Sequence, residues 1–208
     1  MAREDFLGGP SNATALALID AWPEWSSRAA VLAGPEGSGK SHLAAIWAQA
    51  AGARRVAARS LEEIGVPAAL ATGAVVVEDA APGEFDERAL FHLLNLARED
   101  EAFVLLTART PPAGWLLAIR DLASRLKALP VVTLAPPDEV LLRAVLVKLF
   151  ADRQLTVDES LIGYLATRIE RSFAAARAVV AALDEEAMRR QRPLTRALAA
   201  EMLRSDDA

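Results

Sequence analysis

The stretch Gly34-Pro35-Glu36-Gly37-Ser38-Gly39-Lys40-Ser41 decides the fold of this chain. It follows an apolar run, residues 29–33, and precedes residues 42–48, which are typical of a helix. The pattern G-x-x-x-x-G-K-[ST] between a strand and a helix is the phosphate-binding P-loop. Its glycines let the backbone turn tightly and point N–H groups at an anion, and the helix N-terminus adds partial positive charge. The sequence therefore predicts that all eight residues bind a nucleotide.

Two side chains of this loop have predicted roles. Lys40 is expected to reach the β- and γ-phosphates, and the Ser41 hydroxyl to ligate Mg²⁺. The alternative is an ordinary glycine-rich turn before a helix. Eight matching positions in the required setting favour the P-loop.

Composition restricts the possible functions. The 208 residues are 53% hydrophobic and 25% charged, which is typical of a globular chain with a sizeable core. A net charge of −5 argues against a broad nucleic-acid surface, which is normally basic. Cysteine is absent, and there is neither a signal peptide nor an apolar run of about 18 residues. We therefore expect a cytoplasmic protein that binds neither membrane nor DNA directly, with aliphatic packing and with tryptophans that serve the core.

An acidic pair ends the next strongly apolar segment. Residues 74–77 form a β-branched run suited to a buried strand, and Glu78 and Asp79 follow it. Such a pair is typical of the Walker B element, in which one acid orders the Mg²⁺ shell and the other polarises an attacking water. We assign Glu78 to the metal and Asp79 to catalysis; the alternative is an acidic pair that only ends a strand. Thr107, after the apolar residues 103–106, either places a hydroxyl beside the γ-phosphate or caps its strand.

Strands and helices alternate over the first two thirds of the chain, which predicts a parallel α/β sheet with ligands at the ends of its strands. From Pro136-Pro137 onward the pattern is helical, so we predict a nucleotide-binding core at residues 1–135 and a small helical domain at 136–208. The predicted strands are 29–33, 55–58, 74–77, 103–106 and 131–134. The predicted helices are 13–21, 42–48, 61–70, 84–98, one around 122–126, 140–150, 160–169, 173–190 and one from 195, with Ser11 or Asn12, Asp138, Asp158 and Ser172 as caps.

This layout resembles that of AAA+ proteins, which carry a parallel-sheet P-loop core and a small all-α lid. Residues 39–43, Gly-Lys-Ser-His-Leu, resemble the G-K-[ST]-H-L of DnaA-type initiators and add His42 to the predicted nucleotide-binding residues. The lead-in with Phe6, Leu7 and Asn12 is similar to the segment that lies along the adenine in that family. For Phe6, anchoring in a crevice is the other interpretation.

Residues 121–126, Asp-Leu-Ala-Ser-Arg-Leu, resemble the arginine-finger box of the Hda-type, DnaA-related regulators. This resemblance implies a negative regulator of replication initiation that promotes hydrolysis of DnaA-bound ATP, together with the DNA-loaded sliding clamp. Arg125 would then be the finger in trans. Without the resemblance, Arg125 is a solvated helix arginine. Residues 136–208 contain no basic cluster like the DNA-binding module of DnaA, so we expect no direct DNA binding; a homo-oligomer is an alternative assembly.

Two departures from the family pattern shape the expected chemistry. The order Glu78-Asp79 differs from the usual Asp-Glu order, so we expect weak or absent intrinsic ATP hydrolysis. The lid position of the sensor 2 arginine falls on Ala174, and either Arg171 or Arg177, one turn away, could substitute. The glutamine-led clamp-binding peptide of the family has no counterpart among the residues given, so the clamp contact is implied by the resemblance alone. The alternative function is a self-sufficient AAA+ ATPase of the helicase-loader or initiator type.

Overall fold

The computed structural model describes residues 6–206, and within them a five-stranded parallel sheet in the order β2-β3-β4-β1-β5. This confirms the predicted α/β fold class. Parallel strands covered on both faces read as continuous apolar runs, and β1, with every residue buried, is such a strand. The strands are β1 Ala29–Ala33, β2 Arg54–Ala57, β3 Ala74–Ala80, β4 Phe103–Ala108 and β5 Val131–Thr133.

Helices cover both faces of the sheet. Alternate residues of β1 belong to different clusters, with Leu32 on the face covered by α1 and α2 and Val31 on the face covered by α3 to α6. Both clusters are largely aliphatic, as the composition predicts. The helices are α1 Ala13–Asp20, α2 Lys40–Ala51, α3 Leu61–Ile64, α4 Val66–Ala69, α5 Glu87–Glu99 and α6 Arg120–Ala128.

Several predicted helices have other bounds in the structure, among them 160–169, which is observed as Glu159–Ala166, and two of the differences have a clear local cause. The single helix expected over residues 61–70 is two short helices, because Gly65 between them has a φ of 79°. The helix expected from residue 84 begins at Glu87, where Asp86 accepts a hydrogen bond from the Ala89 N–H at 2.6 Å. An N-cap carboxylate of this kind fixes where a helix starts.

Three tryptophans pack as the sequence predicts. Trp22, Trp25 and Trp47 contact one another or the ring of Phe103, with ring centroids 5.1 to 6.4 Å apart. The Trp25 indole N–H donates to the Leu18 carbonyl at 2.7 Å. This cluster anchors the segment between α1 and β1 to the sheet.

The chain divides into two compact units after Ala135, and Leu7–Ser11 group with the second. The second unit has its own core, which includes Leu146, Phe150 and Val180. Its helices are α7 Glu139–Asp152, α8 Glu159–Ala166, α9 Phe173–Arg190 and α10 Arg196–Asp206. The predicted caps Asp138, Asp158 and Ser172 each accept a backbone N–H bond. Within residues 6–206 no helix is long and apolar enough to cross a membrane.

Candidate nucleotide site at the carboxyl edge of the sheet

The P-loop leaves the sheet at the end of β1, on the edge where the strands end, which we call the carboxyl edge. The Gly34 N–H donates to the Ala108 carbonyl at 3.1 Å, so β4 holds the start of the loop. Gly34, Gly37 and Gly39 have φ values of 150°, 72° and 99°. A Cβ on Gly34 would lie 2.5 Å from the Leu134 carbonyl oxygen, so only glycine fits there.

Lys40 lies inside the loop. Its side chain is buried, and its Nζ donates to the Gly34 carbonyl at 2.8 Å and the Pro35 carbonyl at 2.7 Å. Burial lowers the pKa of the ammonium, and the negative charge of Asp79 opposes this shift. The loop therefore holds a cation at the position where a P-loop lysine meets phosphate oxygens.

The rest of the loop fits an anion. Ser38 is buried, and its Oγ has no hydrogen-bond partner among the described residues. A buried hydroxyl without a hydrogen-bond partner costs free energy of folding, and a bound phosphate oxygen would supply that partner. Ser41, the second residue of α2, is exposed at the helix N-terminus, where backbone N–H groups favour negative charge. The residues present therefore fit the phosphates of a nucleotide.

The end of β3 is kinked. Asp79 has a φ of 56°, and the register with β4 shifts between Val77 and Ala80. The Asp79 N–H donates to the Thr107 Oγ1 at 3.0 Å, and Thr107 is fully buried. An irregularity of this kind re-aims a side chain. β4 continues one residue past Thr107, to Ala108, and the Thr107 hydroxyl holds the Asp79 backbone; its role beside the γ-phosphate stays a prediction.

The two Walker B acids have different surroundings. Arg55, on β2, donates through one Nη to both carboxylate oxygens of Glu78, at 2.8 and 3.1 Å. Asp79 forms no ion pair within the described part of the chain, and of the two acids it is the one whose charge raises the pKa of Lys40. If Glu78 binds the metal as predicted, its ion pair with Arg55 must break. The local sequence does not reveal this ion pair.

No cluster of three or more metal-ligating His, Asp or Glu side chains exists in residues 6–206. Mg²⁺ in nucleotide sites usually takes one or two protein oxygens, phosphates and waters. Ser41 and one acid would supply the protein share. The prediction of Mg²⁺ thus needs no dedicated protein cage.

Sequence reasoning missed Arg109. Its Nη2 lies 3.0 Å from the Glu36 carboxylate inside the P-loop, and both side chains are exposed. The charge of Arg109 also lowers the pKa of Lys40. The sequence held one signal for Arg109, its place two positions after Thr107; that β4 lies beside the strand entering the P-loop is visible only in the structure.

The lead-in residues occupy separate places. Phe6 is buried, and its ring meets the ring of His42 edge-on at 5.1 Å, which agrees with the interpretation of Phe6 as an anchor. Asn12 is the N-cap residue of α1, but its side chain makes no capping hydrogen bond. Leu7 groups with the helical unit. Their predicted roles at the adenine stay predictions.

Neither a protein-family model nor a curated protein matches this sequence. Solved structures do match. Domain III of Thermotoga maritima DnaA superposes with a TM-score of 0.79 at 17% identity, covering 97% of this chain and 95% of that domain. AMPPCP-bound DnaA from Aquifex aeolicus gives 0.73 at 18%, covering 87% of this chain and 64% of that one. The Thermotoga maritima branch migration motor RuvB gives 0.74 at 18%, covering 95% and 69%. This chain shares its fold with these proteins.

At such identities the likeness shows the fold alone, so the roles of the remaining predicted residues depend on their own geometry. Arg125, the predicted finger, lies on α6 and donates through Nη1 to the Asn95 Oδ1 on α5. Its guanidinium carbon lies 5.2 Å from the centroid of the Phe91 ring. The side chain is partly buried and forms no ion pair with any described residue.

A pocket of about 360 Å³ adjoins Arg125. It includes Ala29, the first residue of β1, and Leu129, which precedes β5, so it lies where the strands begin. We call this the amino edge. Arg125 is therefore directed toward the edge opposite the P-loop. The pocket is lined by Ser27, Arg28, Ala29, Leu94, Ala97, Arg98, Arg125, Ala128 and Leu129.

Both sensor 2 candidates are exposed residues of the helical unit. Arg171 directly precedes the cap residue Ser172, whereas Arg177 lies within α9. Ala174, the position that the AAA+ pattern predicts, is also exposed. Exposure therefore does not choose between the two arginines, and their role stays a prediction.

Proposed function

We propose that this chain binds ADP or ATP at its P-loop and acts as an AAA+ regulator of replication initiation. The observation that carries the binding is Lys40, a buried ammonium held inside a loop of left-handed glycines. The likeness to DnaA domain III supports a role in replication.

Binding would exchange contacts within the loop for contacts with phosphate. Lys40 would transfer hydrogen bonds from the Gly34 and Pro35 carbonyls to phosphate oxygens, and the Ser38 hydroxyl would gain a partner. Ser41 and one Walker B acid would hold Mg²⁺, which neutralises phosphate charge. Because the bound nucleotide stabilises only the folded protein, saturating ADP should raise the melting temperature.

The regulatory action would use Arg125 on the nucleotide of a neighbouring DnaA molecule. Three observations support this assignment: Arg125 lies toward the amino edge, its hydrogen bond is to a neutral amide, and no described carboxylate neutralises it. A guanidinium placed beside a γ-phosphate stabilises charge that develops in the transition state. DnaA as the partner, and the DNA-loaded sliding clamp as the setting, come from the resemblance of residues 121–126.

The test measures hydrolysis of DnaA-bound ATP in the presence of DNA-loaded clamp and this protein. Arg125→Ala should remove the stimulation, which for an arginine finger amounts to about a thousandfold or more. Lys127→Ala, an exposed basic residue two positions further along the same helix, is the matched control and should stimulate normally. Equal stimulation by Arg125→Ala and the parent protein would exclude the finger assignment.

A self-sufficient ATPase is the alternative function, and the Asp79 carboxylate acting on Lys40 favours it. In that case the purified chain would hydrolyse ATP without DnaA. Asp79→Asn would abolish this turnover, whereas Glu78→Gln, at the acid paired with Arg55, would reduce it less. Absence of turnover together with tight ADP binding would support the regulatory function.

A further inference from the structure

The carboxyl edge carries a charge pair that the nucleotide-binding proposal does not use. Arg109 follows the last residue of β4, and its Nη2 lies 3.0 Å from the Oε2 of Glu36. The Arg109 side chain is 72% exposed and that of Glu36 78%. Glu36 is the third residue of the P-loop, so this pair spans the gap between β4 and the loop.

The backbone of Arg109 is held close to the phosphate site. The carbonyl of the preceding residue, Ala108, accepts the Gly34 N–H at 3.1 Å, and Ala33 and Ala108 are register partners. The attachment point of the arginine is therefore fixed beside the entrance of the loop. Its long side chain is solvated and has several rotatable bonds, so it can change partner without any movement of the sheet.

Electrostatics couples the pair to Lys40. The charges of Asp79, Arg109 and Glu36 all act on the Lys40 ammonium, so the ion pair and Lys40 belong to one electrostatic environment. The carboxylate of Glu36 repels a bound anion unless Arg109 neutralises it. A triphosphate brings more negative charge to this place than a diphosphate does, and the additional charge lies on the terminal phosphate that Lys40 contacts.

An exposed ion pair of this kind contributes little stability, because water screens both partners. Hydrogen bonds between a guanidinium and phosphate oxygens are stronger and are often bidentate. Replacing the hydrogen bond to Glu36 by hydrogen bonds to a phosphate is therefore favourable in free energy for Arg109. ADP lacks the phosphate that would draw the arginine away from Glu36.

We propose that Arg109 senses the terminal phosphate in cis: it binds that phosphate when ATP is present and stays paired with Glu36 when ADP is present. The pair then sets the preference of this site for triphosphate over diphosphate. This inference rests on the proposed nucleotide binding. Arg109 would act on the nucleotide bound to this chain, whereas Arg125 would act on the nucleotide of a partner molecule.

Calorimetric titration of the full chain with Mg²⁺-ADP and with Mg²⁺-AMPPCP, which is not hydrolysed, tests the proposal. Arg109→Ala should weaken AMPPCP binding about tenfold and ADP binding by about twofold or less, because only the triphosphate loses a charged contact. Glu36→Gln should strengthen AMPPCP binding more than ADP binding, since it removes the competitor for Arg109. Arg109→Lys keeps the charge but lacks the planar guanidinium, so its AMPPCP affinity should lie between those of the parent and Arg109→Ala.

The matched control is Arg59→Ala, an exposed arginine just after β2, the outermost strand of the sheet on the β3 side. It should leave the ratio of the two affinities unchanged. An equal loss of both affinities in Arg109→Ala, or no loss, would overturn the sensor and leave nucleotide binding intact. If the parent protein binds neither ligand and Lys40→Ala behaves identically, the proposed nucleotide binding itself fails.

Discussion

The cations that carry the two proposals, Lys40 and Arg109 at one edge and Arg125 toward the other, have different partners, although the amino edge also holds a paired cation, Arg28 with Glu101. At the carboxyl edge the chain supplies its own acceptors: Lys40 has two carbonyls, Arg109 has Glu36, and Arg55 has Glu78. Toward the amino edge, Arg125 has one amide oxygen and an aromatic ring.

This difference indicates two kinds of anion site. Where internal acceptors are present, an incoming anion replaces them, so binding is an exchange that depends on loop geometry and local charge. Arg125 has no carboxylate partner among the described residues, so an anion supplied by another molecule would not compete with one for its guanidinium. The same contrast separates the two proposals, a resident nucleotide on one edge and an action in trans on the other.

The strongest test of the carboxyl edge is Gly34→Ala. The new Cβ would lie 2.5 Å from a backbone carbonyl at a φ of 150°, so we expect a loss of about 3 kcal/mol or more in the free energy of unfolding, and no nucleotide binding. Thermal and denaturant unfolding measure the first effect, and titration with ADP the second. Gly52→Ala, at the other end of α2 with a φ of 61° and open space around it, should cost only about 1 kcal/mol. Equal costs for the two variants would show that the loop tolerates a side chain.

Asn95→Asp would make the amino edge resemble the carboxyl edge. The new carboxylate would stand where the amide now accepts from Arg125 and would neutralise the guanidinium. We expect stimulation of DnaA-bound ATP hydrolysis to fall about tenfold, with a change in stability of about 1 kcal/mol or less. The stimulation assay measures the first effect, and Asn95→Ser, which is neutral, is the control. A variant with an unchanged rate would show that the charge of Arg125 does not act on a partner.

The smallest effect should be the pH dependence of nucleotide affinity. Burial lowers the pKa of Lys40 from 10.5, while phosphate binding requires its charged form. As pH rises through the lowered pKa toward 10.5, we expect affinity to fall about threefold per pH unit, with proton uptake on binding. Over the same window the unfolded chain binds more protons at Lys40 than the folded chain does, so the stability of the free protein rises.

Calorimetry in buffers of different ionisation enthalpy measures the proton uptake directly. The chain has only two other lysines, Lys127 and Lys148, which simplifies the assignment. Lys127→Arg should leave the pH profile as it is. A profile that is flat up to pH 10.5 would mean that Lys40 does not titrate at the phosphate site.

Local patterns predicted the fold well. The P-loop residues, the apolar run of β1 and the caps at Asp138, Asp158 and Ser172 are signals carried by neighbouring positions, and the structure has the predicted elements there. The exception is Gly65, where the apolar periodicity of residues 61–70 concealed a left-handed residue that interrupts the helix.

The contacts of the candidate site were harder to predict from the sequence, because its ion pairs join residues that are far apart along the chain. Arg109 and Glu36 are 73 residues apart, and Arg55 and Glu78 are 23 apart. Which acid faces Lys40 depends on the backbone kink at Asp79, and no residue type at that position requires one. Strand order brings these residues together, and a single sequence gives that order only through the fold.

Because the Asp79 N–H donates to the Thr107 hydroxyl, we expect these two positions to change together in evolution. Aspartate, asparagine and glycine tolerate the left-handed backbone at position 79, and a hydroxyl at position 107 accepts the N–H that this kink presents. Serine at 107 would preserve the contact, whereas valine or alanine would leave a buried N–H without a partner. In a lineage of this chain, loss of the hydroxyl should therefore accompany loss of the kink, and with it the distinct orientation of the second acid.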